Sequence, residues 1–250
     1  MAFFTLYIIA GIAPSFIWLL FYLQKDRHPE PNRMIIKVFL YGMISAVIAA
    51  AVEIMISNGI DAVSGVEGTV NYSFLIFVLY NFLGIALVEE IAKFFVVKKI
   101  VLKNKEFDEP VDAMLYMIIS ALGFAALENI LILAPMGNSL LLSQIITKTL
   151  STSAIRFVGA TFLHALASGT VGYFLALSIC YQKRRKFLVT TGILIASLLH
   201  GFYNFSIIEM FETQNTSFVF IPVIILATLL IFVLWGFGKL NKIKSICKIN

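Results

Sequence analysis

The stretch Phe74–Ile100, FLIFVLYNFLGIALVEEIAKFFVVKKI, decides the fold. As an α-helix it extends about 40 Å at ~1.5 Å per residue, more than the ~30 Å of a bilayer's hydrocarbon core. Leu, Ile, Phe and Val dominate it, yet Glu89, Glu90 and Lys93 lie in its second half. A charge at the bilayer centre costs roughly 2.5–3.5 kcal/mol, so the three together cost up to about 8–10 kcal/mol. The Leu, Ile, Phe and Val residues between Phe74 and Val97 return ~0.3–0.6 kcal/mol each, about 5–10 kcal/mol in all. The two sums nearly cancel. A span this marginal persists when its charges face a polar interior inside a bundle. The plainest use of the charges is structural, with Glu90 pairing to Lys93 one turn away.

Working outward, apolar stretches of similar length recur along all 250 residues, of which 60% are apolar and 13% charged. A soluble domain carries roughly 25% charged residues. Backbone groups in hydrocarbon must pair within their own segment, so each stretch is predicted to be a helix. Seven spans result: 3–23, 34–56, 74–100, 111–134, 152–180, 187–208 and 218–238. The first lacks a basic leader and a small-residue cleavage site, so it is taken as a span and not a signal peptide. Loop 57–73 is rich in Gly and Ser and is expected to be irregular. The segment 139–150 fits an interfacial helix or a re-entrant piece. Nothing suggests a separate soluble domain, so residues 1–250 form one unit. The expected fold is an all-α, polytopic transmembrane bundle.

Charge sorts the loops. Of the 19 Lys and Arg, fifteen fall at the first inner loop, the end of the third span and its loop, the loop 183–186 and the C-terminal tail. The alternate loops hold only Lys148. The positive-inside rule then places the N-terminus outside and the C-terminus in the cytoplasm of a multi-pass cell-membrane protein. The net charge of +5 reflects this asymmetry and is no sign of nucleic-acid binding. Two cysteines, Cys180 and Cys247, provide no disulfide framework and are expected to be reduced thiols.

Further ionisable residues fall within spans: Glu128 in the fourth, His164 in the fifth and His200 in the sixth. Glu89 and Lys93, Phe124 and Glu128, His164 and Ser168, and His200 and Asn204 are i, i+4 pairs, each on one helix face. Counted from the inner helix ends, Glu90, Glu128, His164 and His200 all lie roughly 20–26 Å deep. They can meet in one layer in the outer half of the membrane. Glu53 and Arg156 lie near outer span ends, where snorkelling accounts for them.

Such a layer supports two chemistries. Imidazoles and carboxylates hold a divalent metal, as catalytic zinc sites do with three protein ligands and an open position. Alternatively, a buried glutamate activates water directly as a general base. In both cases a carbonyl is attacked, and His200 or Asn204 donates to the oxyanion. No H-E-x-x-H and no G-x-S-x-G occurs. The last span has no lysine, which argues against a retinal protein. The competing class is a transporter or channel that uses the same groups as a proton or cation relay, although no internal repeat supports it. A non-catalytic scaffold is the third reading.

Glu89-Glu90-Ile91-Ala92-Lys93 resembles the E-E-x-x-K signature of PrsW-type intramembrane proteases, and Phe124 through Asn129 resembles their F-x-x-x-E-N. His164 and His200 fall where that family has its histidines, with Asn204 completing H-x-x-x-N. Asp26 through Pro31 (DRHPEP) and Glu109 through Ala113 (EPVDA) add to the likeness, which covers about residues 1–205. Lys93 and Glu128 depart from the E-E-x-x-x-R and F-x-x-x-H of the related CAAX-processing proteases, which disfavours a prenyl-protein substrate. The resemblance implies a zinc-dependent intramembrane endopeptidase that cuts a membrane-anchored anti-sigma factor on its outer side; a metal-free glutamate mechanism is the variant. Glu89, Glu90, Lys93 and Asn204 are then the expected catalytic group, with Lys93 as a charge partner. Glu128, His164 and His200 are the expected metal group. Phe124 is expected to pack, and Asp26, Arg27 and Glu30 to form an ordered inner loop.

Overall fold

The computed structural model describes residues 2–26, 28–65, 68, 72–134 and 142–243. Among them there are helices and no strand: α1 (Ala2–Leu23), α2 (Asn32–Ser64), α3 (Phe74–Leu79), a π-helical segment (Tyr80–Ala86), α4 (Leu87–Ile100), α5 (Pro110–Leu133), α6 (Leu142–Val158), α7 (Ala160–Cys180), α8 (Arg185–Thr213) and α9 (Phe220–Ile243). Seven stretches are long and apolar enough to span a membrane, as the sequence predicts.

Helices α5 and α7 form the centre. Nearly every residue of α5 from Pro110 to Ala126 is buried, and so are most of those of α7 from Thr161 to Ala176. The outer helices instead present large apolar side chains outward, such as Ile48 and Met55 on α2 and Ile231 on α9. Local chemistry starts α5 cleanly. Pro110 occupies its first turn, and Glu109 and Asp112 form a reciprocal capping box. Close backbone approach sets α2 against α5. A Cβ on Gly123 would sit 2.0 Å from the Phe39 carbonyl oxygen, and one on Gly42 would sit 2.2 Å from that of Ser120. Small residues let helices touch backbone to backbone, a packing mode suited to lipid, where the hydrophobic effect gives no drive to associate.

Four expectations are corrected. Helix α2 does not end near residue 56; it runs to Ser64 and stops at Gly65, whose φ of 68° is left-handed. The Tyr72 hydroxyl holds this extension by donating to Asp61 Oδ1 (2.6 Å) or the Ser57 carbonyl (3.1 Å), bonds that no local pattern announces. The third span is not one α-helix but α3, a π-helical segment and α4 joined without a break. The fifth span begins earlier than residue 152, as two helices broken at Gly159. A Cβ at Gly159 would lie 2.5 Å from the Tyr203 hydroxyl, so close packing against α8 accompanies the break. Of segment 139–150, residues from Leu142 onward belong to helix α6, and 139–141 lie outside the described residues. Cys180 is disulfide-bonded rather than reduced. Cys247 lies outside the described residues.

Candidate active site and metal centre

The residues singled out by their spacing converge from four helices. Helix α4 carries Glu89, Glu90 and Lys93 on adjacent turns of one face, all buried. The Lys93 ammonium is their hub. It donates to Glu89 Oε2 (3.1 Å), Glu90 Oε1 (2.9 Å) and His164 Nδ1 (2.8 Å), and lies 4.3 Å from the centre of the Phe124 ring. Three donors meet three acceptors, so the cation is fully satisfied at zero exposure. The Phe124 ring, expected only to pack, adds a cation–π contact.

The two imidazoles are arranged alike. His164 Nε2 lies 2.8 Å from Glu128 Oε2, and its Nδ1 faces Lys93 and, at 3.6 Å, Glu89 Oε2. His200 Nδ1 lies 3.1 Å from Glu90 Oε1, and its Nε2 is 3.8 Å from Glu89 Oε2. Each ring thus donates one N–H to a carboxylate behind it; the other nitrogen of His200 faces Glu89, and that of His164 accepts from Lys93 beside Glu89. A carboxylate behind an imidazole is the arrangement that fixes ring orientation and basicity at metal sites. The donor atoms of Glu89, His164 and His200 all lie within 4.8 Å of one another. One carboxylate and two imidazoles suit a catalytic zinc or similar divalent ion with an open position, so the residues present fit a metal.

The carboxylates are not equivalent. Glu90 is saturated: Oε1 accepts from Lys93 and His200, and Oε2 accepts from the Ser168 hydroxyl (2.8 Å). Among the described residues Glu89 accepts only the Lys93 bond, at Oε2, and it retains slight exposure where Glu90 has none. Glu128 stands on the far side of His164 from Glu89 and is the most exposed of the three, its side chain 30% accessible. The Arg156 guanidinium lies 2.9 Å from its Oε2 as an ion pair. Arg156 also donates through Nε to Asn129 Oδ1, and Asn129 in turn donates to Thr161 Oγ1 (3.0 Å) and the Gly11 carbonyl (3.2 Å). Asn204 follows His200 by one turn but makes no hydrogen bond to the cluster among the described residues.

Two participants escaped sequence reasoning. Arg156 looks like a snorkelling residue near a span end, but the break at Gly159 sets α6 beside α5 and turns it inward. Ser168 shares a helix face with His164, a spacing that hints at proximity without identifying Glu90 as its partner.

A second polar group closes the Lys/Arg-rich end of the bundle. The Tyr116 hydroxyl donates to Glu30 Oε2 (2.6 Å), Asp112 Oδ2 accepts from the Glu109 and Asp108 backbone N–H groups, and His28 Nδ1 lies 2.8 Å from Glu109 Oε1. Burial raises the Glu30 carboxyl above its ordinary range, while the Tyr116 hydroxyl pulls it back down. These contacts join the DRHPEP and EPVDA motifs, with Arg27 outside the described residues.

Comparison with known proteins agrees with this arrangement. No solved structure matches the chain. The family described as "PrsW family intramembrane metalloprotease" matches residues 30–235. The chain is 31% identical to "Protease PrsW" of Oceanobacillus iheyensis over 78% of its own length and 80% of that protein. It is 31% identical to the Geobacillus kaustophilus protein of the same name, over 79% and 77% of the two chains. With Bacillus subtilis "Protease PrsW" the identity is 27% over 97% and 96%. A multi-pass helical bundle, buried Glu and His converging from three of its helices, and a family match across most of its length make this chain a member of the PrsW family of intramembrane metalloproteases.

Proposed function

We propose that the chain, as a single unit over residues 1–250, hydrolyses a peptide bond of a membrane-anchored anti-sigma factor on the outer side of the membrane. The observation that carries this reading is the convergence of Glu89, His164 and His200, each ring backed by its own carboxylate. In this reading Glu89, His164 and His200 hold a divalent metal, most simply zinc, which when bound polarises the scissile carbonyl. Glu128 and Glu90 orient His164 and His200, so Glu128 acts behind the ligand shell rather than within it. Glu89 Oε1, which accepts no hydrogen bond among the described residues, takes the proton of the attacking water. The new C–O bond forms as the carbonyl π pair moves onto oxygen. The C–N bond then breaks and the proton passes to the leaving amine. Lys93 holds Glu89 and Glu90 by hydrogen bonds in a dry site, and Asn204 donates to the oxyanion once substrate is present. The basic loops favour an N-terminus outside and a C-terminus inside. The alternative of an ion relay has no support from the comparisons.

The test uses purified wild type and Glu89→Ala in detergent. Bound metal is measured by elemental analysis, and cleavage of a single-span anti-sigma factor is followed with and without chelator. The proposal expects stoichiometric metal and chelator-sensitive cleavage in wild type, with both lost in Glu89→Ala. Cleavage without metal that ignores chelator overturns the ligand roles. Absence of cleavage overturns the substrate assignment.

A further inference from the structure

A groove of about 540 Å³ runs between the far half of α2 and the α3–π segment, lined on one side by Ile56, Gly59, Ile60 and Val63 and on the other by Tyr80 and Leu83. Its walls are almost wholly apolar, as a membrane surface requires, but such a surface has no need to be concave. One end lies towards the catalytic cluster, Gly84 at its edge preceding Glu89 on the same continuous helical stretch. Tyr80 lines the groove and donates its hydroxyl to the Glu53 carbonyl (3.4 Å). Glu53 lies one turn before Ile56 and one turn after Ala49, which packs against Phe124, the ring beneath Lys93. Glu53 Oε1 is buried and has no hydrogen-bond partner among the described residues. A buried acceptor left unpaired costs about 1–3 kcal/mol, a cost a protein retains where something else completes the bond.

We infer that this groove docks the transmembrane segment of the substrate and that Glu53, at its inner end, accepts a backbone N–H from the stretch unwound for cleavage. The inference rests on the proteolytic reading above and adds the entry path. A helix cannot be cut while its carbonyls are engaged along its own axis. Once unwound in hydrocarbon, its N–H groups have no water to turn to. The enzyme must supply the acceptors, and Glu53 is an unused one between an apolar groove and the cluster. Access from this side also explains how a peptide reaches a cluster whose Glu90 and Lys93 have no exposure at all.

The test places a photoreactive benzoylphenylalanine at Val63 or Leu83, both exposed in the groove, in a Glu89→Gln background. A probe at the exposed Ile231 of α9 serves as control. The enzyme is reconstituted with a single-pass anti-sigma factor in phosphatidylethanolamine–phosphatidylglycerol vesicles. Cross-links from Val63 and Leu83 should exceed those from Ile231 at least tenfold. In the wild-type background, Gly59→Trp fills the groove where a Cβ meets nothing within 4 Å. It should slow cleavage at least tenfold while the melting temperature and metal content stay unchanged. Glu53→Leu should slow cleavage at least tenfold with the cross-links retained, and Glu53→Gln, which keeps an acceptor oxygen, should restore most of it. Wild-type cleavage with silent groove probes overturns the docking site and leaves the protease reading standing. Groove cross-links without wild-type cleavage do the reverse. Cross-links to lipid alone, or between two enzyme chains, overturn the inference, and unchanged cleavage in Glu53→Leu overturns the acceptor role.

Discussion

Replacing Lys93 by methionine removes the ammonium while nearly keeping the side chain's volume. The cation sits 3.1 Å and 2.9 Å from two carboxylate oxygens. At an effective dielectric of ~20 each contact is worth about 5 kcal/mol of Coulomb energy, most of it offset by the cost of dehydrating the three charges. Breaking such a group by deleting one partner typically costs ~3–5 kcal/mol, because the remaining charges stay buried. That is a large part of a total stability of roughly 5–15 kcal/mol. In a thermal melt of the purified protein it corresponds to about 6–20 °C at ~2–4 °C per kcal/mol. The refined form is a double-mutant cycle with Glu90→Gln. Once Glu90 is neutral, losing Lys93 should cost less, and the double variant should be more stable than the sum of the single losses by at least ~1 kcal/mol. A Lys93→Met melting temperature equal to wild type, or strictly additive losses, would refute the claim that the ammonium holds the carboxylates in place.

Three further outcomes follow from the geometry. Glu128→Gln, which weakens the partner behind His164, should lower metal affinity ~10–100-fold as read by competition with a chromogenic chelator, and leave the melting temperature of the metal-free protein within a few degrees. Gly123→Leu should abolish folding or cost more than ~3 kcal/mol, because its Cβ has a carbonyl oxygen 2.0 Å away; near-native unfolding would mean that α2 and α5 separate easily. Glu30, raised by burial, favours its protonated form when folded. Its contribution to stability is therefore full below the ordinary carboxylate value and falls as pH rises towards the raised one. Stability measured across that window should decline in wild type, and Glu30→Gln should flatten the decline.

The hydropathy of the chain revealed the bundle, and the depth and face of Glu89, Glu90, His164 and His200 revealed the layer they form. Those features depend on periods of 3.6 residues and on the price of charge in hydrocarbon, which are local quantities. What stayed hidden depends on pairings between helices. The same count that finds Glu128 in the layer cannot tell that His164 stands between it and Glu89. Arg156 looked peripheral because Gly159, a single residue without a Pro or polar cluster beside it, redirects α6. Likewise, the Gly- and Ser-rich stretch from residue 57 suggested the end of α2 because Tyr72, which holds its last turns, lies well beyond it in sequence.

The π-helical turns of Tyr80–Ala86 give segment length a role of its own. A π-helix is in effect an α-helix carrying surplus residues, held in place by its neighbours. Each residue in an α-helix advances the side chains by about 100° about the axis. Deleting one residue here should let the segment relax to ordinary α-helix and rotate α3 by roughly that angle relative to the Glu89–Glu90 pair, swinging Leu79 out of line with Ile60. The aim of the incoming polypeptide would then be set by arithmetic rather than by chemistry. A deletion variant would read this out as a shift in the position of the cut, with all the residues of the cluster intact.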